Sequence, residues 1–181
     1  GYAIKLIAGS KNTEKGVRIS VEPKLVDKSR MLAAVNSVYN AILVRGSYTG
    51  DSLFYGQGAG KLATASAILG DIIEILEVPD RQNLPAFVDN TAVIIKDSDD
   101  KERFYVRLKS TFNDTESEEL KADITNIFGN KAVYLGYALS DNTTAAFISD
   151  YCSEAELKVL CDKLAQCDGV ESIAYTMRVA E

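Results

Sequence analysis

The sequence predicts an α+β protein in two parts: a mixed or antiparallel sheet with one long packing helix, followed by a βαββαβ domain. Three observations carry that expectation. Short stretches alternate apolar and polar residues at the period of a strand, and a single long stretch, Lys61 to Leu76, repeats apolar residues at helical spacing. A polar, proline-marked segment from Pro79 to Pro85 then separates two halves of different charge. Residues 1–80 are nearly neutral at +1, whereas residues 81–181 carry −7.

Taken in order, residues 2–9 (YAIKLIAG) and 16–23 (GVRISVEP) read as strands, the second alternating Val17, Ile19 and Val21 with Arg18, Ser20 and Glu22. The polar link Ser10 to Gly16 makes them a hairpin. A short helix is expected within Asp27 to Val35, then strands at Ser37 to Gly46 and Asp51 to Tyr55, about four strands before the long helix. Within that helix Ala65, Ile68, Leu69, Ile72 and Leu76 form a stripe expected to cover one face of the preceding sheet.

The proline-marked link places a boundary between residues 1–78 and a second domain at 102–181, with 79–101 as a linker holding a possible strand at Thr91 to Lys96. Beyond the turn Asp97 to Asp100 comes a strand at Arg103 to Lys109, then a helix from Ser117 to Phe128 stopped by Gly129-Asn130. Strands follow at Ala132 to Leu139 and Thr144 to Ser149. The last elements are a helix from Glu154 to about Gln166 and a strand at Ser172 to Val179. Ser153 with Glu156 three positions later is a capping box. Strand, helix, strand, strand, helix, strand is the ferredoxin-like order.

Composition removes several function classes. No apolar run approaches the roughly 18 residues of a membrane span, and Gly1-Tyr2-Ala3-Ile4 is not a basic n-region before an apolar h-region. The start, without methionine and directly in a strand-like run, suggests a piece of a longer protein. A net charge of −6 without a basic cluster speaks against nucleic-acid or anionic-membrane binding. Histidine is absent, which removes imidazole nucleophile systems and imidazole metal ligation. Cys152, Cys161 and Cys167 form no Cys-x-x-Cys pair, so neither a zinc site nor a disulfide framework is expected, and a cytoplasmic setting fits. Cys161 shares a helix face with Leu157, Leu160 and Leu164 and reads as a core residue.

The functional signal lies in YGQGAGK at 55–61, where Gly56, Gly58 and Gly60 open the long helix. Glycine permits positive φ or close approach of another group, and the helix N-terminus beyond it favours an anion or a cofactor's polar edge. A tight bend packed on a neighbouring strand explains the same residues. A Walker A loop is excluded because Gly60-Lys61 is followed by Leu62, and the dinucleotide fingerprint fails because the third glycine comes one residue early.

GYAIKLIA at the start, NAILVRG at 40–46 and FYGQGAGKLATASAILGDI at 54–72 resemble the later part of the substrate domain of homoserine dehydrogenase. Ala63 stands where that family usually has proline, a change confined to the first helical turn. RFYVRLK at 103–109 and SEAELKVLCDKL at 153–164 resemble an ACT domain, the regulatory module many of these enzymes carry C-terminally. The resemblance implies NAD(P)-dependent interconversion of L-homoserine and L-aspartate 4-semialdehyde by the parent enzyme, in threonine, methionine and isoleucine biosynthesis.

By the same resemblance, the nucleotide-binding domain and the catalytic lysine and acids precede Gly1, so this chain supplies no catalytic residue and is expected to be inactive alone, with no cofactor bound. The turn approaches the cofactor, Gly58 first, with Gly56 and Gly60 beside it. A homo-oligomer, dimer or higher, is implied, with an amino-acid effector possible at the loop Ser110 to Ser117. The alternative is a stand-alone ACT-type amino-acid sensor or interaction protein without enzymatic activity.

Overall fold

The computed structural model describes residues 1–78, 91–95, 100–112, 117–138 and 141–180. Two compact units emerge, one formed by Gly1 and Lys28–Thr91, the other by Tyr2–Asp27 and Ala92–Glu181.

The second unit is built on a seven-stranded sheet. Strands β1 (Tyr2–Thr13) and β2 (Gly16–Asp27) pair antiparallel from Tyr2↔Asp27 to Thr13↔Gly16, so the hairpin link shrinks to two residues. Both strands run further than expected, because backbone pairing continues through polar positions once a tight turn fixes the register. Pro23 stays inside β2 opposite Leu6, and among the described residues no strand pairs with the other edge of β2 at that position. The short β5 (Ile94–Ile95) pairs parallel with β2.

Next come β6 (Phe104–Ser110), α2 (Ser117–Phe128), β7 (Val133–Ala138), β8 (Asp141–Ile148), α3 (Glu154–Leu164) and β9 (Val170–Ala180). This is the expected βαββαβ order, and the strands lie side by side as β9-β6-β8-β7, each pair antiparallel. The hairpin extends that sheet through a parallel contact, Leu25↔Val179 and Val26↔Ala180.

Alternation along β6 sends Phe104, Val106 and Leu108 to one face, where Leu120, Ile124 and Phe128 of α2 and Leu157, Cys161 and Leu164 of α3 complete the core. Cys161 is a core residue, and burial pushes its thiol up to about 11. The opposite face holds a smaller cluster, Leu25, Ile148 and Met177 with Tyr2 and Tyr105 against it. At the start of α3 the capping box is formed: Ser153 Oγ accepts from the Glu156 N–H, and the Glu156 carboxylate accepts from the Ser153 N–H at 2.7 Å. Gly129 ends α2 with φ of 92°.

The first unit contains a 3-10 turn at Met31–Ala34, an antiparallel hairpin of β3 (Tyr39–Gly46) and β4 (Gly50–Gln57), and α1 (Lys61–Glu77). The helix expected within Asp27 to Val35 is therefore only a 3-10 turn; Arg30 gives it no side-chain cap and Val35 is already extended. The four strands before α1 divide between two sheets. The expected burial of the α1 stripe is also corrected: no α1 residue is buried, and even Ile72 is 47% exposed. Helical spacing establishes a helix and its apolar side, whereas burial requires a partner surface.

Among the described residues no helix is long and apolar enough to cross a membrane, and no cluster of His, Cys, Asp or Glu is arranged to hold a metal ion. All three cysteines are free. The proline-marked link, the turn at 97–99, and residues 113–116 of the proposed effector loop lie outside the described residues.

Candidate functional site

The glycine turn sits where β4 hands over to α1. Register along the β3–β4 hairpin runs from Gly46↔Gly50 to Tyr39↔Gln57 and puts Gly56 opposite Asn40. Pairing then stops. Gly58 donates its N–H to the Val38 carbonyl at 3.3 Å, and Ala59 and Gly60 carry the chain into the helix.

The three glycines differ: two face open space and one meets a side chain. A Cβ on Gly56 would meet nothing within 4 Å, so the strand there presents bare backbone to open space. A Cβ on Gly58 would run into the side-chain amide of Asn40, which lies against the bare backbone there. Gly60 also faces open space, and its φ of 126° is a conformation that only glycine adopts without strain.

Gly60 is the N-cap of α1 and has no side chain to offer the helix. Its carbonyl accepts from the Thr64 N–H at 3.0 Å, the first intrahelical bond, and no acidic residue stands in the first turn. Among the described residues the N-cap therefore gives the start of α1 no side-chain acceptor, and no carboxylate of the first turn offsets the positive end of the helix dipole. What such an arrangement can do is accept an electron-rich edge or an anion against bare backbone. From Gly56 to Gly60 the turn carries no titratable side chain, and Tyr55 and Lys61 stand at its two ends.

Two aromatic rings flank the hairpin end: Tyr39 and Tyr55 stack with centroids 5.0 Å apart and planes 4° from parallel. At the far end Arg45 grips Asp51 through two hydrogen bonds, of 2.8 and 3.2 Å. That grip holds the Asp51 carboxyl below the usual range, the Arg45 hydrogen bond being the largest cause. Asn40 and the tyrosine stack were missed by reading the sequence. The signal was present, because a turn closed at Gly46 and Gly50 fixes the register that sets Asn40 across from Gly56.

A family model described as homoserine dehydrogenase matches residues 1–73, a stretch that includes the hairpin, the whole turn and most of α1. Over residues 1–73 the chain is therefore similar to homoserine dehydrogenases. The homoserine dehydrogenase of Neisseria gonorrhoeae is 48% identical over 75 residues, which are 41% of this chain and 17% of that protein. That of Helicobacter pylori is 44% identical over 75 residues, 41% of this chain and 18% of the relative. The chain thus matches less than a fifth of the length of these homoserine dehydrogenases.

Solved structures extend the likeness over the remaining residues. A Staphylococcus aureus homoserine dehydrogenase is similar over 100% of this chain and 42% of its own, with a TM-score of 0.71 and 28% identity. One from Thiobacillus denitrificans shares the fold, covering 100% of this chain and 43% of its own at a TM-score of 0.72 and 23% identity.

Proposed function

We propose that the chain is the C-terminal portion of a homoserine dehydrogenase that interconverts L-homoserine and L-aspartate 4-semialdehyde with NAD(P) in the cytoplasm. Residues 1–78 end the substrate and dimerisation domain in this reading, 79–101 link, and 102–181 form an ACT-type regulatory domain. The observation that carries it is the family match over residues 1–73, which takes in every residue of the glycine turn.

The turn fits a flat cofactor ring. Gly56 and Gly60 leave open backbone, Asn40 lies against Gly58, and the first turn of α1 has no competing carboxylate. When bound, the nicotinamide supplies the hydride chemistry. This chain's contribution is positional: a wall without side chains sets how closely ring and substrate meet, and displacement by about an angstrom costs on the order of a hundredfold in rate.

The uncovered apolar residues of α1 and of β3–β4 favour assembly into a larger enzyme, dimeric or higher, because exposed apolar patches of this extent mark interaction surfaces. The antiparallel β9-β6-β8-β7 order with two helices on one face favours the ACT assignment, and with it an amino-acid effector.

A chimera tests the proposal. The chain replaces the corresponding part of the Neisseria gonorrhoeae relative, and homoserine-dependent NAD(P) reduction is followed by absorbance. The chimera is expected to turn over and the 181-residue chain alone to be silent. A folded chimera that binds NAD(P) yet ignores homoserine would sink the reading, and turnover by the isolated chain would show that catalytic groups reside in it.

A further inference from the structure

The face of the β6–β9 sheet turned away from α2 and α3 carries a cavity of about 520 Å³. Its hollow has a simple steric origin. Gly136, Ala146 and Ala174 have side chains too short to fill the floor, while Tyr105, Arg107 and Lys109 of β6 rise beside them. Gly136 holds φ of 96°, and a Cβ there would meet nothing within 4 Å.

The charge of this hollow departs from that of its half of the chain. Residues 81–181 carry −7, yet among the described residues that line the cavity there are two cations and no carboxylate. Arg107 and Lys109 stand two positions apart on β6, on one face, with Cα atoms roughly 7 Å apart. Arg107 lies over the Tyr175 ring at 5.9 Å, and among the described residues neither cation forms an ion pair. Both cations are exposed, and an anion placed between them would be attracted to both.

We propose that this cavity binds a small organic dianion, a dicarboxylate or a phosphate monoester, whose negative charge is shared between Arg107 and Lys109, and that it rejects zwitterionic amino acids. The rejection follows from the lining. An amino acid brings an ammonium next to two cations, and none of the described lining residues offers it a carboxylate. The proposal rests on no assignment of enzymatic activity.

The 181-residue chain, labelled with nitrogen-15, is titrated separately with succinate, phenyl phosphate and L-threonine while the backbone amides of Gly136, Ala146 and Ala174 are followed by NMR. Saturable shifts are expected with succinate or phenyl phosphate, at a Kd of about 0.1–1 mM, weakened by added salt. Whichever of the two saturates at lower concentration identifies the anion source. Threonine is expected to move none of these amides. In R107Q/K109Q the affinity falls about tenfold or more, because charge-assisted bonds are lost at exposed positions where the fold tolerates the change. The single variant K109Q, with a smaller loss, guards against misfolding of the double one. No saturation by either anion up to about 10 mM, on a scale where 1 mM is already weak, would overturn the proposal. So would shifts that survive the double substitution, an equal response to threonine, or shifts that follow protein concentration alone and so report self-association on this face.

Discussion

The Arg178 guanidinium donates to the Glu22 carboxylate at 2.6 Å across 156 positions of sequence, fastening β9 to β2. The same guanidinium reaches Glu154 at the start of α3 at 2.6 Å and Glu102 at 2.8 Å, and Glu102 in turn accepts two bonds from Arg18. Direct strand pairing between β2 and β9 is limited to Leu25↔Val179 and Val26↔Ala180, so this network is the main polar tie between hairpin and sheet.

Arg178→Gln is therefore expected to destabilise the second unit by about 2–3 kcal/mol, since three carboxylates lose a largely buried partner. The pH dependence has a definite sign. Burial by itself raises the Glu22 carboxyl, but the hydrogen bond and charge of Arg178, with Lys24, outweigh it and leave the group below its ordinary 4.5. A depressed carboxylate stabilises the fold above the unfolded value and loses that contribution as pH falls through the folded value. The gap in Tm between wild type and R178Q should shrink as the pH drops below about 4.5, measured by circular dichroism melts. A gap that stays constant would show that Glu22 and Arg178 are not coupled.

Gly58→Ala should destabilise the turn by no more than about 1 kcal/mol, because its Cβ meets the far end of the exposed Asn40 side chain, which can swing aside. Asn40→Ala removes the colliding amide, so G58A/N40A should recover most of that loss. A double-mutant cycle in urea measures the coupling. Additive losses would place the cost of G58A somewhere other than the Asn40 contact.

Gly56→Ala meets open space and is expected to change stability by less than about 0.5 kcal/mol. In the chimera the same substitution should lower kcat/KM by on the order of a hundredfold if bare backbone meets the ring. Unchanged kinetics with unchanged stability would remove Gly56 from the cofactor-facing turn.

Cys152 and Cys161 are buried, and burial raises both thiols, that of Cys161 to about 11. Alkylation proceeds through the thiolate. Iodoacetamide near pH 8 should leave both untouched in the native chain and label Cys167 first, slowly, because burial raises its thiol as well. Mass spectrometry of tryptic peptides gives the order. Early labelling of Cys161 would mean that α3 opens readily.

Much of this architecture could be read directly. The capping box at Ser153 and Glu156, the stop at Gly129, the stripe that sends Leu157, Cys161 and Leu164 inward, and the order of elements from β6 to β9 all follow from contacts within a few residues of each other. Such signals are local, so neighbouring side chains and backbone propensities suffice to set them. The glycine turn was legible as a turn for the same reason.

Only the tertiary structure decided that the β1–β2 hairpin joins the sheet of the last strand rather than that of β3 and β4, and that Asn40 stands behind Gly58. It also decided that the apolar side of α1 remains uncovered. Period-two and helical patterns specify which face of an element is apolar, but every strand edge offers the same N–H and C=O groups. Which distant edge or surface an element meets depends on register, charge and shape brought together across the whole chain, as in the bond from Arg178 to Glu22.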